Sequence, residues 1–224
     1  MYKTELHCHS VDVSRCATAD VNSIVERYLE AGYTTVVLTN HFGDFTFEHH
    51  GITNWSDCID FYYAGYLKLK EAAAGRLHIL FGAELRFKGI SNDYLLYNVT
   101  PEFLRMQEDI FSMKPRIFHP LAQENNILFI QAHPFRDNMM ITPPGYIDGI
   151  EIYNGSLLGH YGHDSRNDVA QYWADRFNLI RTSGTDLHYA EDPVVGGILT
   201  EAPITSSEQL VEVLKSRKYT ILRG

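Results

Sequence analysis

A chain of 224 residues is long enough to bury roughly 70% of its unfolded surface in one α/β domain, and a single domain over 1–224 is the expectation. Its formal net charge of −9 argues against a general nucleic-acid-binding face, which needs clustered Lys and Arg; a small anionic substrate stays open if metal ions supply local positive charge. Cys8, Cys16 and Cys58 are an odd set without framework spacing, and there is neither an apolar N-terminal segment nor an apolar run of about 18 residues, so the expectation is a soluble, cytoplasmic protein with no membrane partner.

In chain order, apolar and β-branched runs predict strands at 2–7, 34–40, 77–84, 93–99, 127–133, 147–153, 179–185 and 219–223. Helical spacing predicts helices at 19–31, 55–74, 101–112, 115–125, 166–177 and 206–217. The first strand runs into His7-Cys8-His9, whose imidazoles share one face because strand side chains alternate, so both can reach one ion. The helix at 19–31 has Thr18 or Asp20 as N-cap, Val21, Ile24, Val25 and Leu29 near helical spacing, and Gly32 past its end. The second strand leads through Asn40 to His41 and then to a long loop at 42–54 that holds His49-His50, read as surface residues. Phe61, Tyr62, Tyr63 and Tyr66 have helical spacing and read as packing, not as a base-stacking platform. The run from Leu77 to Ala83 ends in Glu84, a carboxylate costly there unless it binds metal or pairs with an arginine such as Arg86; His78 faces outward. His119-Pro120 falls in a helical stretch and is set aside.

The run from Ile127 to Ala132 closes on His133, and Pro134 stops the strand. Alone, His133 or His41 would read as a satisfied core histidine. Glu151 can support the ligands from behind, and Asn154 at its strand end can touch substrate. His160 and His163 read as surface residues. Asp186-Leu187-His188, after the strand at 179–185, is a second period-two pair at the far end of the chain. Alternating strands and helices predict parallel pairing with right-handed crossovers, hence a closed barrel, although a doubly wound open sheet has the same local signature. Imidazoles and carboxylates at many strand ends suit Zn, Mn or Fe held at a barrel mouth, which points to metal-assisted hydrolysis.

Five segments together resemble the PHP domain family, named for polymerases and histidinol phosphatases: His7-Cys8-His9-Ser10, Leu38-Thr39-Asn40-His41, Gly82-Ala83-Glu84, Ala132-His133-Pro134-Phe135-Arg136 and Gly184-Thr185-Asp186-Leu187-His188. They occur in the family's order and span residues 7 to 188; each is weak alone and specific as an ordered set. The resemblance implies a distorted (β/α)7 barrel, TIM-like, with a trinuclear metal site at the C-terminal ends of the strands, usually hydrolysing phosphate esters. By position, His7, His9, Glu84 and Asp186 would hold one ion, Glu84 would bridge to a second bound also by His133, and His41 and His188 would serve a third. Two positions depart from the family pattern: Asp93 stands where many relatives carry a histidine, and after the His-x-His pair the expected ligand is Asp12 or Cys16, a thiolate favouring zinc and a carboxylate leaving manganese open.

The function expected is a metal-dependent phosphoesterase hydrolysing a small phosphate monoester with two or three divalent transition ions (Zn, Mn or Fe). Clustered ions screen the ester's charge and lower the pKa of bound water from ~16 toward ~7, so a metal-bridging hydroxide is the nucleophile expected. Arg136 is the leading phosphate clamp and Arg15 the next; His188 or His41 can assist the leaving group. The competing readings are a histidinol-phosphate phosphatase, a nucleotide or oligonucleotide phosphoesterase, and, from another class, a non-catalytic metal-binding module. Substrate choice would lie in the loops at 42–54, 137–146 and 155–165.

Overall fold

The structure is a computed structural model describing residues 1–157 and 164–224, so the expectations for His160 and His163 lie outside the described residues. Its strands are β1 (Tyr2–Glu5), β2 (Tyr33–Leu38), β3 (His41–Phe42), β4 (His78–Arg86), β5 (Asp93–Tyr97), β6 (Leu128–Gln131), β7 (Gly149–Asn154), β8 (Ile180–Gly184), β9 (Ile198–Thr200) and β10 (Thr220–Ile221). Its helices are α1 (Val21–Glu30), α2 (Asp44–His49), α3 (Trp55–Ala73), α4 (Pro101–Arg105), α5 (Pro115–Glu124), α6 (Ser165–Phe177) and α7 (Ser207–Ser216).

Local chemistry sets the boundaries. Asp20, not Thr18, caps α1 by accepting from Ser23 N, and Gly32 takes the positive φ of 76° that follows the helix end. Asn54, Thr100 and Ser206 cap α3, α4 and α7 in the same way. The helix expected over 101–112 stops at Arg105, and a single 3-10 turn at Ile110–Ser112 redirects Phe111 onto Phe42 and Trp55, with ring centroids 5.1 and 5.6 Å away. Part of the loop expected at 42–54 is helical, as α2.

The sheet runs β10-β9-β1-β2-β4-β5-β6-β7-β8, with β3 beside β4. β1–β2, β2–β4, β6–β7 and β7–β8 are parallel, whereas β4–β5, β5–β6, β1–β9 and β9–β10 are antiparallel. Uniformly parallel pairing is therefore corrected. Residues 87–92 are too few for a crossover helix, so β5 returns beside β4 as a hairpin does. Beyond their ends β1 and β8 continue side by side: His7 O accepts from Asp186 N at 2.8 Å, Leu187 O accepts from His9 N at 3.1 Å, and Cys8 pairs with Leu187. The result is a mixed α/β fold with a nearly closed, barrel-shaped sheet, a distorted TIM-like barrel and not an open doubly wound sheet.

Strand alternation sorts the core. Val36, Leu38, Ile79 and Phe81 pack outward with Tyr62 and Leu69 of α3, while Val37, Leu80, Leu95, Tyr97, Leu128 and Ile130 fill the barrel with Leu210, Val211 and Leu214 of α7. Each such side chain contributes about 1.5–3 kcal/mol when fully buried. On β4 the inward parity of Leu80 passes through Gly82 to Glu84, so the barrel interior changes from apolar to ionisable along one strand. Among the described residues no helix is long and apolar enough to cross a membrane.

Candidate metal centre

At the C-terminal ends of the strands, five imidazoles converge on two carboxylates. His7, His9, Glu84, His133 and Asp186 are at most 1% exposed, and His41 and His188 form the outer edge. His7 Nε2 lies 3.3 Å from Glu84 Oε1, 3.3 Å from Asp186 Oδ1 and 3.1 Å from His9 Nε2. His9 Nε2 is 3.1 Å from Asp186 Oδ1, and His133 Nε2 is 3.0 Å from Glu84 Oε1. β3 exists because His41 pairs with Glu84 in the backbone ladder, which sets His41 Nδ1 2.5 Å from Glu84 Oε2.

Each ring is aimed from behind. His7 Nδ1 bonds Glu151 Oε1 at 2.9 Å, and Glu151 Oε2 accepts from His133 N at 2.9 Å and Asn154 Nδ2 at 2.8 Å. A carboxylate on the far nitrogen fixes the ring and raises its basicity as a ligand. Ser14 Oγ is bonded to His9 Nδ1, accepts from His41 N and donates to Asn40, so one hydroxyl orients the ring of His9 and fixes the backbone that carries His41. Glu5, fully buried, accepts from the backbone N–H groups of Leu6, His7 and Thr185 and from Tyr28 Oη, which ties β1 to the loop carrying Asp186. Gly184 is required by close approach: a Cβ there would sit 2.2 Å from His7 Cβ and 2.8 Å from Glu151 Oε1. His133 and Asp186 hold φ of 26° and 55°, strain of order 1–3 kcal/mol each that the surrounding contacts must sustain.

The electrostatics are unbalanced without a cation. Burial raises the carboxyls of Glu84 and Asp186, but His41 and His7 beside Glu84, and His7 beside Asp186, hold both well below the usual range. Burial and the neighbouring His188 and His41 push His9 well down, so it is a neutral imidazole and available as a ligand. Yet Glu84 Oε2, Asp186 Oδ1 and His41 Nδ1 find no hydrogen bond, the short His41–Glu84 contact being out of alignment for one. Orphaned buried carboxylate oxygens are costly, and a divalent cation satisfies them. Three overlapping triads, His7/His9/Asp186, His7/Glu84/His133 and His9/His41/His188, each bring their ligand atoms within 4.8 Å of one another. The donor set, imidazole and carboxylate, fits Zn, Mn or Fe.

A scan against family models and a search of curated proteins find no match. Solved structures do match. A two-domain protein from Bacteroides vulgatus that contains a predicted PHP-like metal-dependent phosphoesterase superposes at a TM-score of 0.69, with 16% identity over 98% of this chain and 64% of that one. The fold is that of the PHP-like phosphoesterases. PsfC from Pseudomonas syringae shares it at a TM-score of 0.63, with 13% identity over 94% and 87% of the two chains. The lesion-specific endonuclease of Pyrococcus furiosus shares it at 0.64, with 15% identity over 98% of this chain and 57% of the endonuclease. The chain thus spans less than two thirds of the Bacteroides and Pyrococcus proteins.

Within this PHP-like barrel most of the expected site residues meet, and two do not. Asp12 points away: Lys68 Nζ holds its carboxylate at 2.8 Å, while the turn after Ser10 carries Cys16 to the site in its place, Sγ 3.1 Å from His41 Nε2. Asp93 is buried nearby but is gripped by Arg86 through two bonds of 2.5 and 2.6 Å and joins none of the triads. Arg86 therefore serves Asp93, not Glu84. Arg136 reaches the mouth, where Nη2 donates to Ser156 Oγ at 2.8 Å and Asp186 Oδ2 at 3.2 Å. Arg15, exposed, lines a cavity of about 350 Å³ with Cys16, His41, Phe45, Thr46 and Arg86. Asn154 is not free for substrate, since Glu151, Asp186 and Ser156 use its amide. Sequence reasoning missed Glu5 and Ser14. Glu5 had a signal, as it continues the alternation of His7 and His9; the role of Ser14 depends on a turn and had none.

Proposed function

We propose that the protein is a metal-dependent phosphoesterase that cleaves a small-molecule phosphate monoester, with two or three divalent transition ions held by His7, His9, His41, Glu84, His133, Asp186 and His188. The observation that carries this reading is the pair of orphaned oxygens, Glu84 Oε2 and Asp186 Oδ1, buried among imidazoles at a barrel mouth. Bound ions there would screen the ester's negative charge and activate water for attack.

The chain's own groups supply the rest. Arg136, one third exposed, presents its guanidinium beside Asp186 and Ser156, suited to fork onto two phosphoryl oxygens. Arg15 lines the cavity beside Cys16 and His41, where it could meet a substrate's distal group. His188 Nδ1 is engaged by Asp186 O at 2.9 Å, which favours a ligand's role over the proton donor's role also considered for it. Three free thiols suit a reducing, cytoplasmic setting for one domain over 1–224. A second reading, nucleotide or oligonucleotide phosphoester cleavage, is favoured by the fold shared with the Pyrococcus endonuclease and opposed by the charge of −9.

The test is turnover of p-nitrophenyl phosphate and of a panel spanning histidinol phosphate, phosphorylated metabolites, nucleotides, nucleotide bisphosphates and short oligonucleotides. The expected result is activity on a monoester that chelation abolishes and Mn or Zn restores. Arg136→Ala should act mainly on KM, raising it by roughly 10- to 100-fold through loss of a charge-assisted contact. Stoichiometric metal with no turnover of any ester would overturn the enzymatic reading in favour of a metal-binding module.

A further inference from the structure

A thiol stands beside the outermost triad, His9/His41/His188. Cys16 Sγ lies 3.1 Å from His41 Nε2, and the His41 ring in turn lies 5.8 Å, centroid to centroid, from that of His188. The backbone holds it there from both sides. Ser10 O accepts from Val13 N and Ser14 N, which reverses the chain after the His7-Cys8-His9 strand, and His188 O accepts from Thr18 N and Ala19 N at 2.8 and 3.0 Å. The other two thiols are elsewhere: Cys8 and Cys58 are buried and donate to the carbonyls of His9 and Ile52, each at 3.8 Å.

We propose that Cys16 is a metal ligand, so that Cys16, His41 and His188, with His9 behind them, form a thiolate-containing outer site that prefers zinc, while the inner nitrogen and oxygen sites accept zinc or manganese. This rests on the metal-cluster reading above. Three observations support it. The spacing fits: tetrahedral zinc with Zn–S of about 2.3 Å and Zn–N of about 2.0 Å holds sulfur and nitrogen roughly 3.5 Å apart, a few tenths of an ångström from the contact seen. The ring of His41 is suitably turned, with Nδ1 toward the Glu84 carboxylate and Nε2 toward the sulfur, so that Nε2 is the nitrogen that could share an ion with Cys16. The competing carboxylate is also absent, because Lys68 holds Asp12. Binding converts the thiol to a zinc thiolate and releases one proton to solvent. A soft sulfur ligand ranks zinc above manganese, which a site of imidazole and carboxylate alone does not do as strongly.

Because Cys16 is the exposed cysteine of the three, the full chain in its native state reports on it directly. The protein is stripped with chelator and titrated with 5,5′-dithiobis(2-nitrobenzoate), with and without zinc. The stripped chain is expected to show one reactive thiol and the zinc-loaded chain none; Cys16→Ser shows none in either state. Cobalt loading separates coordination from mere shielding: a thiolate-to-cobalt charge-transfer band is expected in the wild-type chain and lost in Cys16→Ser, which also binds one zinc fewer. A thiol that reacts equally fast in protein proven to be metal-loaded, or a cobalt spectrum unchanged by Cys16→Ser, overturns this assignment alone. Uptake of no ion at all overturns the cluster beneath it as well.

Discussion

The two ends of the barrel interior are equally buried and chemically opposite. At the N-terminal end Leu80, Leu95, Tyr97 and Leu128 close on Leu210 and Leu214 of α7, and the one polar handle among them, Tyr97 Oη, donates to Leu6 O at 3.1 Å. At the C-terminal end β1, β4, β6 and β8 lead to His7, His9, Glu84, His133 and Asp186, and there two carboxylate oxygens have no hydrogen bond. The first region is complete as it folds, whereas the second reaches low energy only with cations. Strand alternation builds both, so the change from packing to chemistry depends on how far along a strand a residue sits.

That contrast is broken most sharply by exchanging what each end contains. His9→Ala or Asp186→Ala should take turnover to background and lower bound metal together; unchanged metal content in both variants would contradict their placement in the triads. Glu151→Gln is expected to cost about 10- to 100-fold in metal affinity or activity. Its amide cannot accept from both His7 Nδ1 and His133 N as the carboxylate does, so a variant as active as the parent would show that the support behind the ligands is dispensable. Leu95→Ala, at the apolar end, should lower stability by about 2–5 kcal/mol with turnover and metal content per folded chain near those of the parent. Denaturant melts and metal analysis on the same samples check this, and a parallel loss of metal would show that the two ends are not independent.

Much of this division was legible in the amino-acid sequence, because it follows from periodicity. The His7/His9 and Asp186/His188 pairs and the strand-ending positions of Glu84 and His133 need only a period of two, and the structure brings all six together. The residues that misled are those whose position depends on turns and on competition between partners. Asp12 and Cys16 lie four residues apart on one turn, and only the fold of that turn decides which meets His41. Asp93 stands near the site in register with Arg86, a cross-strand pairing invisible until β5 is known to run antiparallel to β4. That reversal had a signal in the six-residue connection, outweighed by the general alternation of strand and helix. β9 gave almost none, being three residues long between glycines and an acidic turn.

The central claim is that the buried carboxylates bind cations shared with histidines from distant parts of the chain. Anomalous diffraction from crystals of the zinc-loaded protein tests it most directly. The account predicts a peak within about 2.0–2.2 Å of both Glu84 and His133 and a second among His7, His9 and Asp186, the two joined through the Glu84 carboxylate. Density lacking any anomalous peak near Glu84 and Asp186 under saturating zinc would contradict it.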